Sequence, residues 1–185
     1  MNRNLSLLTL SQIFGFTTAT ITVFLSGIVG SQISSNQSLS TLPTALFVVG
    51  TASFTVLAAN IMSKIGRRNG FVFAAIGSSC SALLAAFAIS QKSFNLICLS
   101  CLILGMGAAF NHQYRFAAAE SVEKDKIPKA VSTLLLAGIV SAFLGITLAN
   151  YTKDLIQDQL YVGSYLLLSF AIFSFFHAWS FFIFF

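Results

Sequence analysis

Six runs of roughly 20 mainly apolar residues, separated by short polar or charged stretches, fill this 185-residue chain. An α-helix rises 1.5 Å per residue, so about 20 such residues are needed to cross the hydrocarbon core of a bilayer. The runs fall at roughly 5–30, 42–62, 70–90, 94–119, 130–150 and 160–185. They are continuous rather than alternating, which argues against a β-barrel. The expected fold is therefore all-α: one polytopic transmembrane bundle of about six helices, a single domain over residues 1–185, with short connectors joining neighbouring helices.

Composition supports lipid as the solvent. Charged residues make up 8% of the chain and there are 20 Phe, whereas soluble domains carry about 25% charge. A domain of this size buries only about 70% of its unfolded surface, so in water it would expose large sticky patches. The formal charge of +5 does not point to nucleic acid, because the Lys and Arg sit in short loops rather than on a basic face. Cytoplasmic loops retain positive charge. Arg3, Lys64, Arg67, Arg68, Lys124, Lys126 and Lys129 fall on one side, against Lys92 and Lys153 on the other. The expectation is a multi-pass protein of the cell membrane, of the bacterial inner-membrane type, with both termini cytoplasmic. The basic, apolar start resembles a secretory signal, but its apolar run is longer than such signals carry, and it reads as a retained first helix.

Within the first run Ser11, Gly15, Thr18, Thr22 and Ser26 recur at three- and four-residue spacing and so share a helical stripe. Such a stripe serves close helix packing or lines a hydrated cavity, and Gln12 does not decide between the two. Gly50, Gly77, Gly105, Gly107, Gly138 and Gly145 extend the packing reading to other helices. Cys98 and Cys101 form a C-x-x-C pair and Cys80 stands alone. Buried Cys is a common apolar filler, and no nearby His or carboxylate completes a metal site, so no metal or cofactor is expected. Two N-x-[ST] sequons, at Asn36 and Asn150, fall on or near the outer side.

The densest polar cluster inside a span is Asn111-His112-Gln113-Tyr114-Arg115. Arg is costly in lipid, about 2.5–3.5 kcal/mol at the centre of a span, although near a helix end it can snorkel. With Thr18 and Thr22, the cluster is the candidate solute cavity, taking an anion if Arg115 faces it. The alternative is that Arg115 snorkels and the others bond neighbouring helices. His112 and His177 share no motif. No acid lies mid-span, so proton coupling finds no support. Enzyme motifs are absent: there is no G-x-S-x-G, no H-E-x-x-H and no phosphate-binding Gly-Lys loop.

The most specific segment joins the second and third runs: Ala59-Asn60-Ile61-Met62-Ser63-Lys64-Ile65-Gly66-Arg67-Arg68. It resembles the signature loop of the major facilitator superfamily, G-x-x-x-D-[RK]-x-G-R-[RK], matching at Lys64, Gly66, Arg67 and Arg68. Ala59 replaces its glycine. Ser63 replaces its acid and supplies no charge, which implies a weaker latch between the transporter halves. Glu120, then Pro128 and Lys129, are similar to the acid, proline and basic residue that close the fourth helix and open the fifth in that family, and Glu120 can pair with Arg67 or Arg68. Gly138 and Gly145-Ile146 do not fit the family's drug-proton antiporter motif. The resemblance implies secondary transport of a small solute by one half, the N-terminal one, of a twelve-helix design. A second half or a second copy is then needed beside the lipid bilayer. The competing reading is a non-transporting scaffold or an inactive transporter fragment; the chain's length and its Phe-rich end without a basic anchor speak for truncation.

Overall fold

The computed structural model describes residues 3–156 and 161–182, with side chains described over 5–156 and 161–172. Its helices are α1 (Arg3–Ile33), α2 (Leu42–Ile65), α3 (Arg67–Ser90), α4 (Phe94–Asn111), α5 (Tyr114–Glu120), α6 (Ile127–Thr152) and α7 (Val162–Phe182), and no strand occurs among the described residues. Five stretches are long and apolar enough to cross a membrane: Leu5–Ile33, Gln37–Ile65, Arg67–Ser90, Phe94–Glu120 and Lys124–Thr152. A shorter apolar stretch, Val162–Ile172, opens α7. The chain is an all-α membrane helix bundle. Arg3 and His177 lie outside the described side chains, as do Asp158 and residues 183–185 outside the described backbone.

Local chemistry sets the boundaries. Pro43 and Pro128 sit in the first turns of α2 and α6, where a missing N–H costs nothing. Between α2 and α3 only Gly66 intervenes, at φ +82° and ψ 154°, a conformation in which a Cβ is strained. Hydroxyls inside the spans mostly donate to the carbonyl one turn back, as Ser11 does to Leu7 at 2.8 Å and Thr22 to Thr18 at 2.8 Å. That local bond satisfies the group where water is absent.

The helices pair α2 with α4, α1 with α6, and α3 with both α4 and α7. Two clusters of buried residues stack along the bundle. One gathers Leu25, Phe47, Ala85, Ile97 and Leu104; the other, nearer the Gly66 end, gathers Leu8, Met62, Phe71, Phe110, Tyr114 and Leu134. Large apolar side chains also cover the outside: Phe143 is 73% exposed and Val56 68%, as expected of a lipid-facing wall. Small residues face inward instead. The buried stripe of α6 includes Ala130, Ala137, Ser141, Gly145, Ala149 and Thr152, which brings its backbone close to α1.

Two expectations need correction. The fourth run is one span but two helices, because the chain turns at His112 and Gln113 between α4 and α5. Of the glycines read as packing positions, Gly50, Gly105, Gly107 and Gly145 are closely approached by neighbouring helices, but a Cβ at Gly77 or Gly138 would meet nothing within 4 Å. Those two are not closely approached by any neighbouring helix among the described residues.

Candidate functional site

The break in the fourth span organises the polar cluster. Gln113 donates its backbone N–H to Phe110 at 3.0 Å, a tighter turn than the α-helix makes, while its own carbonyl accepts from Phe116 and Ala117 to start α5. The exposed Arg115 donates from Nε to the His112 carbonyl at 3.3 Å, satisfying an acceptor at the break. Asn111 donates from Nδ2 to the Gly15 carbonyl of α1 at 3.1 Å. A Cβ at Gly15 would come within 2.9 Å of the Asn111 side chain, which would have to shift to admit it.

These residues open a cavity of about 200 Å³ between α1, the α4–α5 break and α6, lined by Gln12, Phe16, Asn111, His112, Arg115, Leu134, Leu135 and Gly138. Phe16 meets the His112 ring edge-on, with centroids 5.5 Å apart and planes at 89°. One formal cation and no acid line the cavity. Asn111 also reaches a smaller, mostly apolar cavity of about 70 Å³, whose wall includes Gly15, Thr18, Ser78 and Leu168. Asn111 thus stands between the two spaces.

The candidate cavity residues divide accordingly. Asn111, His112 and Arg115 line the larger cavity and Thr18 the smaller. Thr22 lies in neither, being fully buried. Gln113 and Tyr114 point into the core as well, and the Tyr114 ring stacks on Phe71 at 4.3 Å. Along the α1 stripe Gly15 and Thr18 border the smaller, mostly apolar cavity, whereas Ser26 bonds the Thr44 hydroxyl of α2 at 2.7 Å. Sequence reading left Gln12 undecided and missed Phe16, Leu134 and Leu135. The available signal was weak: an amide inside an apolar run, one helical turn before an aromatic.

The loop residues sit at the end of the bundle nearest this cavity. Gly66 lets α3 start with Arg67, whose Nε and Nη2 donate to the two oxygens of Glu120 at 2.7 and 2.5 Å. This fork joins the start of α3 to the end of α5. Both partners keep contact with solvent, their side chains being 31% and 63% exposed. Ser63 donates to the Asn60 carbonyl of its own helix at 2.8 Å, and Lys64, Arg68 and Lys129 are exposed. A second ion pair, Lys126 with Glu123 at 2.6 Å, lies in the same rim.

Fold and site together define a multi-pass membrane protein with a polar cavity beside a broken span. Its sequence relatives name the class more closely. The chain is 37% identical over 164 residues to the riboflavin transporter RfnT of Brucella anthropi, covering 89% of this chain and 41% of that protein. Two uncharacterised MFS-type transporters of Bacillus subtilis also match: YdeG, 28% identical over 82% of the chain, and YddS, 27% over 80%. No family model and no solved structure matches. The chain is related to the transporters of the major facilitator superfamily, and it spans 34–41% of the length of these relatives.

Proposed function

We propose that this chain forms one wall of the solute pathway of a major-facilitator-type secondary transporter. The observation that carries the proposal is the 37% identity to a riboflavin transporter along 89% of the chain. The cavity of Gln12, Asn111, His112 and Arg115 supports it, since polar groups are costly in a span and mark pathways there. The chain spans only 34–41% of the length of its relatives, so a second six-helix bundle, either a second copy or a separate half, would complete the pathway. In the membrane of the cell both termini are cytoplasmic. Supporting that orientation, the Arg67–Glu120 fork holds two Lys- and Arg-rich loops at one end of the bundle, and such loops stay inside. Ser63, Lys64, Gly66, Arg67, Arg68, Glu120 and Lys129 then form the inner rim that latches against the second bundle, and Asn111, His112, Arg115 and Thr18 face or border the solute.

The test is flux. The chain is reconstituted into liposomes, alone and with the part of the Brucella anthropi relative that it does not match, and riboflavin uptake is compared with that of empty vesicles. Uptake above background in either preparation is the expected result. A correctly inserted bundle that moves no riboflavin in either would leave the non-transporting scaffold as the better reading.

A further inference from the structure

Arg115 is a cation set inside a span without a carboxylate beside it. It belongs to the apolar stretch Phe94–Glu120, and a guanidinium keeps its charge in proteins. Among the described residues it forms no ion pair. The paired carboxylates at this end of the bundle are engaged elsewhere, Glu120 by the Arg67 fork and Glu123 by Lys126. Nor does the side chain run out toward the rim at Glu120. Its Nε donates back to the His112 carbonyl at the break, at 3.3 Å. The other four N–H groups of the guanidinium, on its two terminal nitrogens, have no partner among the described residues.

Arg115 lines the cavity of about 200 Å³, and no acid shares that lining. The α6 wall of the cavity starts at Leu134, seven residues after Ile127 opens the helix. At 1.5 Å per residue that is about 10 Å into the bundle, deeper than the surface where lipid headgroups lie. An ionised group inside a span pairs with an opposite charge or serves a pathway. Here the protein supplies no opposite charge, so the counter-charge comes from what enters the cavity.

We infer that Arg115 is the charge-recognition residue of this cavity and that the solute carries an oxyanion, a carboxylate or a phosphate ester, held by the two terminal nitrogens of Arg115. A planar fork of N–H groups matches two oxygens of such an anion. A cationic solute is repelled there, and a neutral one leaves the guanidinium without a counter-charge. The inference rests on the transport reading above, since it assigns the charge of the solute in that same cavity.

Riboflavin and its phosphate monoester, which differ by one oxyanion, test it on the purified full chain. Binding is followed by quenching of flavin fluorescence, in phosphatidylcholine nanodiscs and in maltoside micelles, whose headgroups carry no phosphate. The native chain is expected to bind the phosphate ester about tenfold more tightly than riboflavin in both, and Arg115→Gln should bind the two alike. Equal binding of both by the native chain, or a preference that survives Arg115→Gln, would overturn the role of Arg115 and leave the transport proposal standing. A preference seen in micelles but lost in nanodiscs would give the site to a lipid headgroup and overturn the assignment to a solute. No binding of either flavin would overturn both the flavin-like substrate and this inference. The native comparison needs no variant, so it can overturn the inference even if Arg115→Gln fails to fold.

Discussion

The two ends of the fourth span meet their neighbours in opposite ways. Along α4 the contact with α2 is dry and close: a Cβ on Gly105 would run into the Phe47 carbonyl, and one on Gly50 would run into that of Leu102. The Thr51 hydroxyl donates across to Gly105 at 3.1 Å. Past Asn111 the same span faces α1 and α6 through amides, an imidazole and a guanidinium, with space between them. Lipid supplies little hydrophobic drive between helices, so association rests on backbone approach through small residues and on interhelical hydrogen bonds. One span uses the first device to fix its position and the second to hold a cavity open.

The sharpest way to break this contrast is Gly105→Leu. The side chain would have to occupy the space of the α2 backbone, and overpacking costs about 1–3 kcal/mol or more. A carbonyl cannot swing aside as a side chain can, so the upper end applies. The thermal unfolding midpoint in detergent, read by circular dichroism, should fall further for Gly105→Leu than for any change at Asn111, Gly15 or Glu120. A midpoint unchanged from the native chain would mean that α2 and α4 do not meet through these glycines.

A smaller effect is expected on the polar side. Asn111→Ala removes the bond to Gly15, and such bonds between membrane helices average about 0.6 kcal/mol with an upper value near 1.7. Gly15→Ala alone should destabilise by crowding Asn111. In the double variant the crowding disappears, so Gly15→Ala should cost less in the Asn111→Ala background. Additive losses in this cycle would show that the two residues are not in contact.

The smallest effect belongs to the rim. The Arg67–Glu120 fork is solvent-exposed on both partners, and exposed pairs contribute about 0.2–1 kcal/mol. Glu120→Gln should lower stability by no more than that, and added salt should shrink the difference. A loss as large as that of Gly105→Leu would place the pair away from solvent.

Five long apolar helices were legible because they depend on solvent transfer, which each run expresses alone; of the sixth expected run, 160–185, only the shorter apolar stretch Val162–Ile172 is found among the described residues. The limits of the long helices moved by only a few residues: 42–62 became Leu42–Ile65, and 130–150 became Ile127–Thr152. Gly66 was legible too, since a turn of one residue between two helices needs a backbone only glycine readily adopts. The break at His112 and Gln113 was not, as neither Pro nor Gly marks it. Nor was the division of the glycines. Gly138 and Gly145 look alike in sequence, but the helix rotation turns Gly145 onto Thr20 of α1 and leaves Gly138 facing space.

By itself, then, the sequence determined that this chain is a multi-pass membrane protein and which loops carry positive charge, because those properties are sums over neighbouring residues. Tertiary structure decided which charges meet, as with Arg67 and Glu120 across 53 residues, and which polar groups share a cavity, as with Gln12 of α1 and Arg115 of α5. Such meetings depend on how helices rotate and cross, and close packing through small residues sets that rotation only when all the helices are in place.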